Sequence, residues 1–525
     1  MPAVKHLILD VSVIIDLWLG VGSAEATETL LDLASEGKTR LWVSASSIPT
    51  LDYVARRALK QRGVPHEELG HLIARLMEDI FHLSGVLTNH GFEQKDIYRA
   101  ARDSEDAQIS ASARSLEGVP VCVVSADARF DTLGDVPVKT PIEALTWIHR
   151  EIDDEFPKTI PFIDLATQQA VIRPAIEHGI ERVLRHGQYI MGPEIQELEE
   201  KLAGYVGVKH CISCASGTDA LLMALMALDV GPGDKVITVP YTWISTAEVI
   251  ALLRAKPVFV DIRPDTFNLD PDLLEAAITP RTKAIMPVGI YGQCADMTRI
   301  NQIADKHGIP VIEDAAQCFG ATHHGKKACN LSLIGCTSFF PSKPLGCYGD
   351  GGAIFTPDDN LAEKMRQIRI HGQKVKHQHP LVGINGRFDT IQAAILLEKF
   401  TLFPEECELR AEVGKQYDML LSAIPDVKVP VIAPDNTSVY AQYTILSSDR
   451  EGLNQKLKAA GIPSVAYYTG PLHLQGAFAY LGYKPGDYPV SERVAAQCLS
   501  LPMSAYLTQI EQGKVVQALI KSGQN

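Results

Sequence analysis

Ile309-Pro-Val-Ile-Glu-Asp314-Ala-Ala-Gln317 is a short apolar run that ends on a carboxylate. Such a run reads as a buried strand, and an acid at its end is costly unless something cationic meets it. Its neighbour Glu313 can equally be an exposed residue without a role. Working outward, the runs Lys235–Val239, Pro257–Val260, Ala284–Val288 and Gly352–Phe355 are flanked by turn residues and alternate with helical stretches. That alternation predicts a large doubly wound α/β sheet.

The chain has 525 residues, which at ~150 residues per domain is room for about three units. A composition shift at Ile152-Asp-Asp-Glu-Phe-Pro-Lys-Thr-Ile160 reads as a linker. The expected organisation is residues 1–150, a linker over 151–161, a large domain over 162–402 and a small α/β lobe over 403–525, its helix starting near Glu406. In the first part, apolar strands at His6–Leu9 and Val121–Val124 with helical stretches at 25–34, 51–62 and 66–83 predict a compact parallel-sheet unit.

With 49 Lys and Arg against 63 Asp and Glu, the net charge is −14, which argues against a protein that lives by broad contact with nucleic acid or anionic lipid. The ten cysteines form no regular framework and read as reduced thiols. Cys211-Ile-Ser-Cys214 reads as a strand with two buried thiols rather than half a zinc site. Asp10 and Asp16 interrupt the apolar start of the chain, so neither a secretion signal nor a membrane span is expected, and the expected location is the cytoplasm.

Four local features carry chemistry. Ser213-Cys-Ala-Ser-Gly217-Thr218 opens a helix, where backbone N–H groups and the helix dipole suit a phosphate ester, although a plain structural cap has the same look. Pro240-Tyr-Thr-Trp243 follows a strand and offers an aromatic face at the sheet's carboxyl edge, or a core tryptophan. Asp314 would suit a protonated pyridine nitrogen. Lys343 lies in Thr337-Ser338-Phe-Phe-Pro-Ser-Lys343-Pro-Leu-Gly-Cys-Tyr-Gly-Asp-Gly-Gly352, an apolar, glycine-rich loop that would desolvate it and free its amine for Schiff-base chemistry. Together these are the groups needed to hold pyridoxal phosphate.

These motifs, with HGQYIMGPEIQELE, AITPRTKAI, YGQCADM, the Asn385-Gly386-Arg387 stretch and SVYAQYT, resemble the DegT/StrS family of sugar aminotransferases, which have the fold-type-I architecture. The likeness runs from about Phe162 to Leu519. It implies that Lys343 carries pyridoxal phosphate and shuttles the proton, that Asp314 keeps the pyridine nitrogen protonated, that Trp243 stacks on the ring and that Gln317 bonds its phenolic oxygen. Gly217, Thr218 and Ser338 would hold the phosphate. Asn385 would reach the phosphate of a neighbouring subunit, making the active unit a homodimer, and Arg387 would meet an acidic group of the sugar, a pairing that suits a bidentate guanidinium.

Within the family the motifs most resemble the branch that aminates UDP-2-acetamido-2-deoxy-ribo-hex-3-uluronate, with L-glutamate as donor, for surface polysaccharide. There are two departures: Gly386 stands where Ser or Tyr is expected, and Tyr467, before Tyr468, stands where that branch has His. Another 3-keto or 4-keto nucleotide sugar is the alternative substrate. Lys343 argues against the dehydrating branch, which has histidine at that point.

In the first part, LILDVSVIID, DSEDAQISASA and VVSADARFD place acids after apolar strands, a hard-oxygen setting for Mg²⁺ or Mn²⁺. Their order resembles PIN domains, metal-dependent ribonucleases. That likeness implies Asp10, Asp106 and Asp127 as metal ligands, Asp103 nearby, and Asp52 where the family has Glu. A ribonuclease or RNA-binding regulator, with the aminotransferase half as a scaffold, is therefore the alternative of another class.

Overall fold

The computed structural model describes the backbone of five short strands within residues 5–139, and residues 160–422 and 424–520. The chain divides into two compact units, one of residues 1–158 with 166–174, the other of residues 159–165 with 175–525.

In the first unit, β1 (Lys5–Leu9), β2 (Thr39–Ser44), β3 (Gly85–Leu87), β4 (Val121–Val124) and β5 (Val138–Lys139) form an all-parallel sheet in the order β3-β2-β1-β4-β5. Both strands expected there are present and lie side by side, Leu9 paired with Val124. The helical stretches expected in this part, and Asp10, Asp52, Asp103, Asp106 and Asp127, lie outside the described residues.

The division between the units falls within helix α1 (Leu165–His186), which is kinked at Ile172, two residues before Pro174. A proline inside a helix lacks the N–H for its bond and crowds the preceding turn, which accounts for the kink.

The second unit is built on seven strands: β6 (His210–Cys214), β7 (Lys235–Thr238), β8 (Lys256–Phe259), β9 (Thr282–Ile285), β10 (Ile312–Asp314), β13 (Ile334–Ser338) and β14 (Gly352–Thr356). A two-stranded ribbon, β11 (Thr322–His323) and β12 (Lys326–Lys327), lies between β10 and β13 in sequence. The groups β8-β7-β9 and β10-β13-β14-β6 are joined by parallel bridges at Ile285–Val311 and Val288–Asp314. The order β8-β7-β9-β10-β13-β14-β6 is the large α/β sheet expected.

β14 alone in this sheet runs antiparallel to its neighbours. An antiparallel return needs no crossover helix, so the chain from Ser338 to Gly352 stays at the carboxyl edge of β13. The carboxyl ends of β6, β7 and β10 lie on that same edge, and each of the four motifs read from the sequence begins there.

β13 was not foreseen, because Gly335 interrupts an otherwise strand-like run. Its glycine is required by packing: a Cβ there would lie 2.4 Å from Cys329 Cα and 2.7 Å from Cys329 O. β10, read as buried, is buried at all three residues.

The helices cover the sheet through apolar faces of period near 3.6: α2 (Pro193–Val206), α3 (Gly217–Ala227), α4 (Ser245–Leu252), α5 (Pro271–Ala277), α6 (Met297–His307, buried at Met297, Ile300 and Ala304) and α7 (Asp359–Arg369, buried at Ala362, Met365 and Ile368).

Helix α8 (Thr390–Leu421) is 32 residues long and passes through Pro404 and the expected division at 402/403, so it begins well before the Glu406 read from the sequence. The buried side chains around the proline, Leu402, Phe403 and Glu406, hold the helix through the lost backbone bond. Beyond it, the antiparallel pair β15 (Tyr443–Leu446) and β16 (Cys498–Leu501) packs with α9 (Arg450–Ala459), α10 (Pro489–Gln497) and α11 (Gln509–Ile520). Among the described residues no helix is long and apolar enough to cross a membrane. The nine cysteines described are unpaired thiols, Cys211 and Cys214 buried in β6.

Substituting Gly335→Val should destabilise the second unit by about 1–3 kcal/mol through overpacking against Cys329. A lowered urea midpoint with an unchanged slope is the expected result; an unchanged midpoint would show that the contact yields freely.

Candidate functional site

At the end of β6, Ser216 caps α3: its Oγ accepts from Asp219 N at 3.0 Å, and Ala220 N bonds Ser216 O. Helix geometry then leaves the N–H groups of Gly217 and Thr218 without an intrahelical acceptor. A Cβ on Gly217 would lie 2.7 Å from Ser338 Cβ, so the absent side chain makes room for the helix end to meet the end of β13. The structural cap and the open donors thus coexist, the cap on Ser216 and the donors on the next two residues. Thr218 Oγ1 shares a 2.8 Å bond with Ser245 Oγ.

A buried ion pair steadies this turn from behind. Arg369 donates to Glu199 Oε1 at 2.6 Å and to Ser213 O at 2.8 Å, while Glu199 Oε1 accepts from Ser213 N and Oγ at 2.9 and 2.7 Å.

Asp314, at the end of β10, is buried, and burial pushes its carboxyl above the usual range. Thr246 Oγ1 donates to its Oδ2 at 2.8 Å and Ala316 N to its Oδ1 at 3.2 Å, both favouring the charged form, as does the charge of Lys343. Lys343 keeps part of its surface open, yet its amine is so crowded that desolvation holds its pKa below the ordinary value, against the pull of Asp314. The desolvation expected from the loop's composition is therefore present.

Gln317 is buried, its Oε1 accepting from Tyr291 N at 3.0 Å and its Nε2 donating to Tyr468 Oη at 2.9 Å. One Nε2 hydrogen is left for a ligand. Tyr468 has a left-handed backbone (φ 60°) and packs with Tyr241 and Tyr291, whose hydroxyls share a 2.6 Å bond. Tyr467 is partly exposed, its ring 6.2 Å from that of Phe162. Trp243 is 61% exposed, directly after the turn that follows β7.

Asn385 and Arg387 lie elsewhere. Arg387 Nε donates to Asn385 Oδ1 at 2.9 Å, and the two line a cleft of about 670 Å³ with Ser216, Asp219, Asp350 and Asp389, whose lining includes neither Lys343 nor Asp314. The link to the turn that opens α3 is Ala215 N to Gly386 O at 3.0 Å.

Three groups were missed. Thr246 and Ser245 stand one turn beyond Trp243 and read only as the start of a helix; Tyr291 acts through its backbone, which leaves no side-chain signal. Glu313 is not exposed: it is buried, accepts from Cys329 N at 2.8 Å, and burial pushes its carboxyl to about 8. The strand is covered on both faces, so its alternation does not sort solvent from core.

The open donors at Gly217 and Thr218, the Ser338 hydroxyl, the buried acid and the desolvated lysine fit pyridoxal phosphate as a set. The model of the DegT/DnrJ/EryC1/StrS aminotransferase family matches residues 171–520.

This chain belongs to that family.

Among its relatives in the family, UDP-2-acetamido-2-deoxy-3-oxo-D-glucuronate aminotransferase of Pseudomonas aeruginosa is 59% identical over 348 residues, 66% of this chain and 96% of the relative. Of solved aminotransferases, one from Brucella abortus is 45% identical with a TM-score of 0.66, covering 68% of this chain and 98% of its own. DesV of S. venezuelae, in complex with a ketimine intermediate, is 37% identical with a TM-score of 0.68, covering 70% of this chain and all of its own. The chemistry of this chain is pyridoxal-phosphate-dependent transamination.

A carboxyl whose pKa is raised on folding stabilises the fold fully below its unfolded value and loses that contribution as pH rises through the folded value. For Glu313 the window runs from the ordinary 4.5 to about 8. Stability should fall across that window, and Glu313→Gln should flatten the fall in a urea-midpoint series against pH. Parallel curves for the two proteins would refute it.

Proposed function

We propose that the protein moves an amino group from L-glutamate to the keto carbon of UDP-2-acetamido-2-deoxy-ribo-hex-3-uluronate, making an amino sugar for surface polysaccharide. The observation that carries this is the pairing of a desolvated Lys343 with a buried Asp314 at the sheet edge, in a chain 59% identical to an enzyme named for that 3-oxo sugar.

Pyridoxal phosphate, when bound, supplies an electron sink that makes the hydrogen beside an attached amine acidic. Gly217, Thr218 and Ser338 hold the phosphate through backbone N–H and hydroxyl donors. Asp314, its charge supported by Thr246 and Ala316 N, keeps a proton on the pyridine nitrogen. Trp243 covers the ring and excludes water, and Gln317 donates its remaining hydrogen to the phenolic oxygen. Lys343 Nζ, whose hold on its proton is weakened by desolvation, accepts the α-proton of the donor and delivers a proton to the acceptor carbon.

Asn385 and Arg387 serve the pocket of a second copy, and Arg387 takes the uronate carboxylate. The exposed apolar run Tyr189, Ile190 and Met191 supports a covering partner, since Ile190 lines the cleft that holds Asn385 and Arg387. Tyr468, bonded to Gln317, and Tyr467 at the edge complete the sugar side; Tyr467 in place of His keeps another 3-keto or 4-keto sugar as the alternative.

The holoenzyme should lose its visible absorbance with glutamate and regain it with the 3-keto uronate, giving the aminated product by mass. Lys343→Ala should cut turnover by about 10³-fold, the worth of a positioned proton-transfer group. A preference for 4-keto sugars would overturn the substrate assignment.

For residues 1–150 the second reading is a metal-dependent ribonuclease or RNA-binding unit of the PIN type, with Mg²⁺ or Mn²⁺ on Asp10, Asp106 and Asp127. What favours it is the parallel sheet with β1 beside β4, since Asp10 and Ser125-Ala-Asp127 are the next residues in sequence after these neighbouring strands. Manganese-dependent RNA cleavage that disappears in Asp10→Asn is expected; a broad RNA panel left intact by the wild type would remove the nuclease reading.

A further inference from the structure

Between Glu363 and Asp389 the chain has no acidic residue, yet it carries Lys364, Arg366, Arg369, Lys374, Lys376 and Arg387 together with His371, His377 and His379. In a protein of net charge −14 this is a sharp local reversal of sign. The first three cations are committed: Lys364 to Asp229 at 2.7 Å, Arg366 to the ring of His210 at 3.4 Å, and Arg369 to Glu199. Lys374 and Lys376, by contrast, have no carboxylate partner among the described residues, and the stretch from Lys374 to Pro380 is exposed throughout.

The stretch is an ordered arm. Lys374 N bonds Gln378 O at 3.0 Å and Gln378 N bonds Val375 O at 2.8 Å, closing a tight turn over Val375–Gln378 with His377 in the left-handed region (φ 65°). His379 Nδ1 bonds His371 O at 2.9 Å across the base. That base is tied to the functional loop, because His371 N bonds Ile384 O at 2.9 Å and Gly386 N bonds Arg369 O at 3.0 Å. The arm therefore rises from the same root as Asn385 and Arg387. The cleft at that root carries Asp219, Asp350 and Asp389, which confines uncompensated positive charge to the arm.

A preformed turn bearing lysines and imidazoles without acids suits a compact, multiply charged anion. We propose that Lys374, Lys376, His377 and His379 form the subsite for the diphosphate of the sugar nucleotide, placed by the same subunit contact that delivers Arg387. This rests on the proposed function, which supplies a diphosphate-bearing substrate and a sugar whose carboxylate Arg387 takes. The spacing is chemically apt: the sugar's acid sits at the root of the arm, and the nucleotide's charge sits toward its tip.

The test uses the full-length holoenzyme and the exposed double variant Lys374→Ala/Lys376→Ala, titrated with UDP, uridine and inorganic pyrophosphate. UDP should bind the wild type at least about tenfold more tightly than the variant, and added salt should narrow the gap, as for any solvent-exposed charge pairing. Pyrophosphate should compete with UDP, and uridine should not distinguish the two proteins. In turnover, KM for the sugar nucleotide should rise by a similar factor while kcat changes less. UDP binding equal in the two proteins would overturn the proposal, as would an arm that retains a single-stranded RNA oligonucleotide but not UDP. The glutamate half-reaction of the wild type is measured separately: its absence would sink the aminotransferase reading, while UDP binding still decides the arm.

Discussion

A carboxylate at the end of a strand buried on both faces is the constraint around which the second unit is arranged. Asp314 is tolerable there because Thr246, Ala316 N and the charge of Lys343 all favour its ionised form against the cost of burial. Each of these partners comes from a different element, so the acid fixes the relative position of α4, β10 and the loop after β13. In return, Asp314 raises the affinity of Lys343 for its proton while desolvation lowers it, which leaves the amine responsive to its surroundings. Remove the acid and desolvation alone acts on the lysine, lowering its hold on a proton further.

The sheet itself was legible because runs such as Lys235–Val239 and Ala284–Val288 carry their own signal, and the edge position of β8 agrees with a proline at its second residue. β13 was hidden by Gly335, whose reason is a contact with Cys329 that no local pattern encodes. The helix expected from near Glu406 departs in the opposite sense: it starts at Thr390, and tertiary packing carries it through Pro404.

The chemistry was more legible than the support beneath it. Asp314 and Lys343 are unusual residues for their settings and announce themselves, whereas Thr246, Ser245 and the backbone of Tyr291 look ordinary until the fold brings them to the site. Glu313 shows the limit of reading by alternation, since a strand covered on both sides has no outward face. Asn385 and Arg387 line a cleft whose lining includes neither Lys343 nor Asp314, a grouping that sequence order cannot reveal.

The antiparallel return of β14 has a mechanical corollary. Ser338 and Gly352 are paired across the ladder, and Phe339 N bonds Gly351 O at 2.7 Å, so the segment that carries Lys343 is a closed stirrup whose two feet are one strand spacing apart. Its stem is pinched again by Cys347 N to Phe339 O at 2.8 Å and Lys343 N to Phe340 O at 2.8 Å. A lysine mounted this way can swing its side chain but cannot carry its backbone away. In the proton-shuttling role proposed for Lys343, the amine would therefore work from a short tether, with little loop entropy to recover.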